Sequence, residues 1–74
     1  MNVGSKIKAA RQAAGFTQAQ AAEKLMVSRQ SVSNWENGKT YPDIESVVRM
    51  SELYSVSMDN IMKDGEQPED VGGA

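Results

Sequence analysis

The chain has neither cysteine nor histidine. The first absence excludes a disulfide framework and thiolate metal sites, and the second removes the commonest zinc ligand and general base. Aromatic residues make up 5% of the 74 residues and hydrophobic residues 39%, so any core is aliphatic and thin, enough for one small domain. No run approaches the roughly 18 apolar residues that a membrane-spanning helix needs. The N-terminus lacks the apolar stretch of a signal peptide. With no paired catalytic groups in view, the expectation is a soluble cytoplasmic binding protein. No metal, no cofactor, no membrane and no enzymatic activity are expected.

What is present is unevenly spread. The net charge is −2, which argues against a polyanion as partner until the two halves are separated. Residues 1–39 hold six basic residues (Lys6, Lys8, Arg11, Lys24, Arg29, Lys39) against Glu23 and Glu36, a balance of +4. Residues 40–74 hold Arg49 and Lys63 against eight acidic residues, a balance of −6. One half attracts a polyanion and the other does not, unless the charges simply dress an ordinary mixed surface.

Five short helices are predicted. Val3, Ile7, Ala10 and Ala14 recur at one helical spacing, and Gly15 follows as a left-handed cap with Phe16 packing back onto it. Thr17 and Gln20 form a capping box for a second helix ending near Leu25, with Ala21, Ala22 and Leu25 as its apolar side. Ser28 caps a third helix running to about Asn37, anchored by Val32 and Trp35. Asp43 caps a fourth to about Tyr54, with Ile44, Val47, Val48, Met50, Leu53 and Tyr54 apolar on more than one side. That breadth predicts a central helix. Ser57 caps a short fifth helix, Met58 to Lys63, with Val56 and Ile61 as a hydrophobic staple. The fold expected is all-α, a compact bundle of five short helices over residues 1–63. Residues 64–74 read as a disordered acidic tail or a linker to a second domain.

About three residues join the second and third helices, which forces a steep crossing, as in helix-turn-helix units. Opposite Val32 and Trp35 the third helix carries Arg29, Gln30, Ser31, Ser33 and Asn34. Serine and asparagine are poor helix formers, so a merely solvated face would favour lysine and glutamate instead. Arginine pairs bidentately with guanine, and glutamine or asparagine with adenine, in the major groove.

The segments Gln18-Ala19-Gln20-Ala21-Ala22 and Val27-Ser28-Arg29-Gln30-Ser31-Val32-Ser33-Asn34-Trp35-Glu36-Asn37-Gly38-Lys39 resemble the Cro/phage-repressor type of helix-turn-helix regulator. The xenobiotic-response-element-type regulators belong to the same family. The resemblance covers residues 3–63 and implies a λ-repressor-like domain of prokaryotic or phage kind that binds double-stranded DNA. It further implies Arg29, Gln30 and Asn34 as base readers, with Ser31 and Ser33 on base or backbone. Gln18, Ser28, Asn37 and Lys39 become phosphate contacts. Arg11 and Glu36 become an internal ion pair, with a phosphate contact as the alternative for Arg11. Met26 departs from the pattern, standing where the family has glycine in the turn. One such helix makes few base contacts, so a homodimer on a pseudo-palindromic operator is expected, acting as a repressor. Met50, Tyr54, Met58 and Met62 are the candidates for its dimer surface, although most of them are needed for the core and Met50 and Tyr54 read better as core residues. The alternative is an antitoxin or protein–protein adaptor that holds a partner through the acidic C-terminal half.

Overall fold

The computed structural model describes residues 2–62. The segment 64–74, read above as a tail or linker, lies outside the described residues, as does Lys63. Among the described residues the only regular elements are five α-helices: α1 (Val3–Ala14), α2 (Gln18–Leu25), α3 (Arg29–Glu36), α4 (Ile44–Tyr54) and α5 (Met58–Met62). None is long and apolar enough to cross a membrane.

Side-chain and backbone caps set the helix ends. The Asn2 side chain accepts the Ser5 amide at 2.8 Å and starts α1. Gly15 ends it at φ 87°. The amides of Gly15 and Phe16 return to the carbonyls of Gln12 and Arg11, the paired bonds of a Schellman cap. Thr17 and Gln20 form the reciprocal capping box that opens α2, and Ser28 caps α3 through the Ser31 amide at 3.1 Å. Asp43 departs from expectation. It stands at the N-cap of α4 without a side-chain bond to an amide, because its Oδ1 instead accepts the Ser46 hydroxyl at 2.7 Å. That hydroxyl bond is the main reason the Asp43 carboxyl lies below its usual pKa.

The core draws on every helix, with Ile7, Leu25, Val32, Val47, Met50 and Ile61 fully buried. The buried stripe of α1 is rotated from the expected one. Val3, Gly4, Ile7 and Arg11 face inward, Ala10 is half-buried and Ala14 is exposed. Gly4 explains how α1 approaches so closely: a β-carbon there would lie 2.7 Å from the carbonyl oxygens of both Trp35 and Glu36. Only a residue without a side chain lets α1 pass across the end of α3 at this distance. In α4, Val47, Met50 and Tyr54 are buried, whereas Ile44 is 66% exposed and Val48 37% exposed. That helix is therefore central along one face and open along another.

Candidate nucleic-acid interface

The site is built from α2, the link Met26-Val27-Ser28, and α3. The link reverses the chain because Met26 takes the left-handed conformation at φ 63°. Its amide and that of Val27 return to the carbonyls of Glu23 and Ala22, a second Schellman cap made here without glycine. An L side chain in this region costs on the order of 1 kcal/mol. Met26 is 77% exposed, so its side chain meets nothing that would add to that cost. Ala21 and Ala22 are buried where α2 meets α3, and their small side chains permit close approach. Arg49 braces the same turn from α4, donating through Nη1 to the Leu25 carbonyl at 3.2 Å and through Nη2 to Glu45 at 2.9 Å.

Below α3, Val32 and Trp35 enter the core while Glu36 is buried as a charge. Its carboxylate accepts from Arg11 Nε at 2.7 Å and Arg11 Nη2 at 3.1 Å. Arg11 Nη1 donates in turn to the Phe16 carbonyl at 2.7 Å. The bond to Glu36 is the main cause raising the Arg11 pKa above its ordinary value. Gln18 joins this group: its Nε2 donates to Glu36 Oε1 at 3.0 Å. The first residue of α2 is thereby tied to the last residue of α3. Tyr54 completes the neighbourhood with a buried hydroxyl that has no hydrogen-bond partner. Burial, reinforced by the Glu36 charge, pushes its pKa up to about 12.

On the opposite side the sequence-predicted readers come together. At about 100° per residue, Ser33, Gln30 and Asn34 lie across from Val32 and Trp35, with Arg29 at one edge and Ser31 at the other. Arg29, Gln30 and Ser33 line one shallow depression. The Ser31 hydroxyl is held by Ser28 at 3.0 Å, and the Ser33 hydroxyl accepts from Asn37 Nδ2 at 3.2 Å. Gln30 Nε2 donates to Asn34 Oδ1 at 3.0 Å. Of the four residues assigned to phosphate, Ser28, Asn37 and Lys39 are exposed around α3, while Gln18 is half-buried against Glu36.

Sequence reasoning did not single out Gly4 or the Arg49 brace, nor the exposure of Tyr41, Ile44 and Val48. The i,i+4 spacing of Glu45 and Arg49 was the one signal available for the brace. Of the methionine and tyrosine candidates for a dimer surface, Met50 and Tyr54 are core residues, Met58 is half-buried against the core, and Met62 is 37% exposed.

Comparison with known proteins identifies the fold and the family. A helix-turn-helix family model matches residues 7–61. The HTH-type transcriptional regulator ImmR of Bacillus subtilis (strain 168) is 42% identical over 62 residues, covering 84% of this chain and 49% of the relative. The HTH-type transcriptional activator BcrR of Enterococcus faecalis is 40% identical over 67 residues, covering 90% of this chain and 32% of the relative. The chain thus spans half or less of the length of these two relatives. The crystal structure of the P22 c2 repressor in complex with synthetic operator 9T superposes with a TM-score of 0.81 at 28% identity, over 85% of this chain and 96% of that one. The solution structure of the DNA-binding domain of the same repressor gives 0.79 at 26% identity, over 95% and 92%. Turn, buried ion pair and relatives lead to one assignment: the chain belongs to the Cro/C1-type helix-turn-helix family.

Proposed function

We propose that the body formed by residues 1–63 reads double-stranded DNA as a sequence-specific transcriptional regulator, with α3 in the major groove. The observation that carries this reading is the two-sidedness of α3. Its inner face is locked by Val32, Trp35 and the Arg11–Glu36 pair, and its outer face presents Arg29, Gln30, Ser33 and Asn34 with Ser31 at the rim. A rigid helix with short hydrogen-bonding side chains outward suits base-edge recognition. Ser28, Asn37 and Lys39 are exposed around that face and would take phosphates, the contacts that set register without reading sequence; Gln18, bonded to Glu36 through one N–H, would take a phosphate with its second.

Even three bidentate readers would discriminate by at most about 3–9 kcal/mol before ordering costs are subtracted. Two copies on a two-fold axis double the readout, with half-sites about 34 Å apart. A homodimer on a pseudo-palindromic operator is therefore part of the proposal, and repression follows from occupying promoter DNA. Exposed Tyr41, Ile44 and Val48 are open to a second copy, whereas Met50 and Tyr54 are buried.

Selection from a random double-stranded DNA library at physiological salt tests the proposal. An enriched two-fold-symmetric site is expected. Arg29→Ala relaxes one base position of it, whereas Lys39→Ala weakens all sequences alike and lowers the salt slope by about one. Folded protein that enriches nothing overturns the reading. The −6 balance of residues 40–74 favours a second reading in that event, an antitoxin or adaptor that holds a basic partner protein.

A further inference from the structure

The outer face of α3 is partly wired to itself. Gln30 and Asn34 stand one helical turn apart, and Gln30 Nε2 donates to Asn34 Oδ1 at 3.0 Å. A primary amide carries two N–H donors and one oxygen with two lone pairs. This bond uses one proton of Gln30 and one lone pair of Asn34. Gln30 keeps its oxygen and its second N–H, the acceptor and donor that adenine N6 and N7 require in the major groove.

The two partners are not equally anchored. Gln30 is exposed and Asn34 half-buried. The backbone carbonyl of Asn34 also takes the amides of Lys39 at 2.9 Å and Thr40 at 3.4 Å, closing the end of α3. Asn34 is the fixed member and Gln30 the long, rotatable one. A free glutamine loses rotamer freedom when it meets a base and has no preference for which end of its amide leads. A bond to Asn34 removes part of that freedom beforehand, and with Asn34 Oδ1 as the acceptor it is the Gln30 nitrogen that faces Asn34.

Resting on the DNA-reading proposal, we infer that Asn34 is a positioning residue for Gln30 and that the pair reads a single adenine. Asn34 acts on that base through Gln30 and does not specify a base pair of its own. The required chemistry at Asn34 is an acceptor; its own N–H groups are dispensable.

The test compares base preferences column by column in the enriched site for the parent chain and for Gln30→Ala, Asn34→Ala, Asn34→Asp and the double variant Gln30→Ala/Asn34→Ala. Preference is measured within each selection, so a general loss of affinity does not enter. Gln30→Ala is expected to lower the adenine preference of one column by about fivefold or more. Asn34→Ala lowers the same column and no other, and the double variant loses no more than Gln30→Ala alone. Asn34→Asp keeps an acceptor and discards the donors, so it preserves the adenine column. In the DNA-free protein, the Gln30 side-chain amide resonances shift in Asn34→Ala and remain near parent values in Asn34→Asp. Matching melting curves establish that the variants are folded.

Relaxation of a different column by Asn34→Ala makes Asn34 an independent reader and overturns the inference while leaving DNA reading intact. So does a failure of Asn34→Asp to hold the column, or an unmoved Gln30 amide. A folded parent that enriches no site overturns the DNA-reading proposal, and this inference falls with it.

Discussion

Two Arg–Glu pairs in this small body have similar closest distances and opposite surroundings. At the base of α3, Arg11 meets Glu36 at 2.7 Å, with 9% and 1% of the side chains exposed. On the flank of α4, Arg49 meets Glu45 at 2.9 Å, with 41% and 71% exposed. The distances say little about what each pair does. The first pair joins residues 25 apart in sequence, connects α1, α2 and α3, and has its remaining donor on the Phe16 carbonyl. Water solvates the second pair, which spans one helical turn. Burial raises the cost of leaving a partner alone, so the inner pair specifies an arrangement of helices where the outer one merely accompanies it.

The largest expected effect comes from breaking the inner pair on one side only. Arg11→Met or Glu36→Leu leaves a buried charge without its counterion and is expected to cost about 3–5 kcal/mol in chemical denaturation. The double variant Arg11→Met/Glu36→Leu is expected to be more stable than either single one, because no charge remains unpaired. It leaves the Phe16 carbonyl and the Gln18 amide without partners, so it need not reach the parent. The Gln18 amide, freed from Glu36, is the finer probe. If the pair serves only stability, the double variant selects the same DNA site as the parent. Equal damage from single and double variants would remove the distinction between the two regions.

Tyr54 sharpens the comparison from a third direction. Its buried hydroxyl has no partner and its pKa is raised to about 12 by burial first and by Glu36 second. A folded pKa above the unfolded value of about 10 means that the native state holds the proton more tightly. The stabilising contribution is complete below pH 10 and is lost as pH rises from about 10 to 12. Tyr54→Phe removes that titration and an unpaired buried polar group. Stability near pH 7 is expected to stay level or rise by about 1 kcal/mol, and the loss between pH 10 and 12 to become shallower. An unchanged alkaline limb would place the titration on another group.

The same contrast between local and distant causes decides how much was legible beforehand. The five helices, the Thr17–Gln20 box, the Ser28 cap and the Gly15 stop depend on residues within four or five positions of one another, and local chemistry dictates them. The left-handed residue at Met26 was legible only as a departure from the glycine expected there. What escaped depends on partners far along the chain. No periodicity on α1 shows that Gly4 must slide under the carbonyls of Trp35 and Glu36; Arg11 on the inward stripe in place of Ala14 was legible only through the ion pair with Glu36 that the family resemblance implied. In α4 two apolar sides were visible, but not that Ile44 and Val48 lie on the open one. At the candidate site the polar row on α3 was legible from its composition. That Gln18 bonds to Glu36, and that Ser31 is held by Ser28 while Ser33 lies beside Arg29 and Gln30, required the helices in place.

The smallest effect should come from the outer pair, and it separates two contributions of one side chain. Glu45→Ala removes the ion pair and leaves the Arg49 bond to the Leu25 carbonyl. Stability is expected to fall by no more than about 0.5 kcal/mol, and the difference to vanish near 1 M salt, where screening reaches a few ångströms. Arg49→Ala removes both bonds and uncaps the end of α2 beside Met26. It is expected to cost more than Glu45→Ala, up to about 1 kcal/mol, and to keep most of that cost at high salt because the bond to a carbonyl is not an ion pair. Thermal unfolding of both variants at low and high salt measures the two parts separately. If both variants were equally mild and equally sensitive to salt, the brace between α4 and the turn would carry no weight, and Arg49 would be as incidental to the site as Glu45.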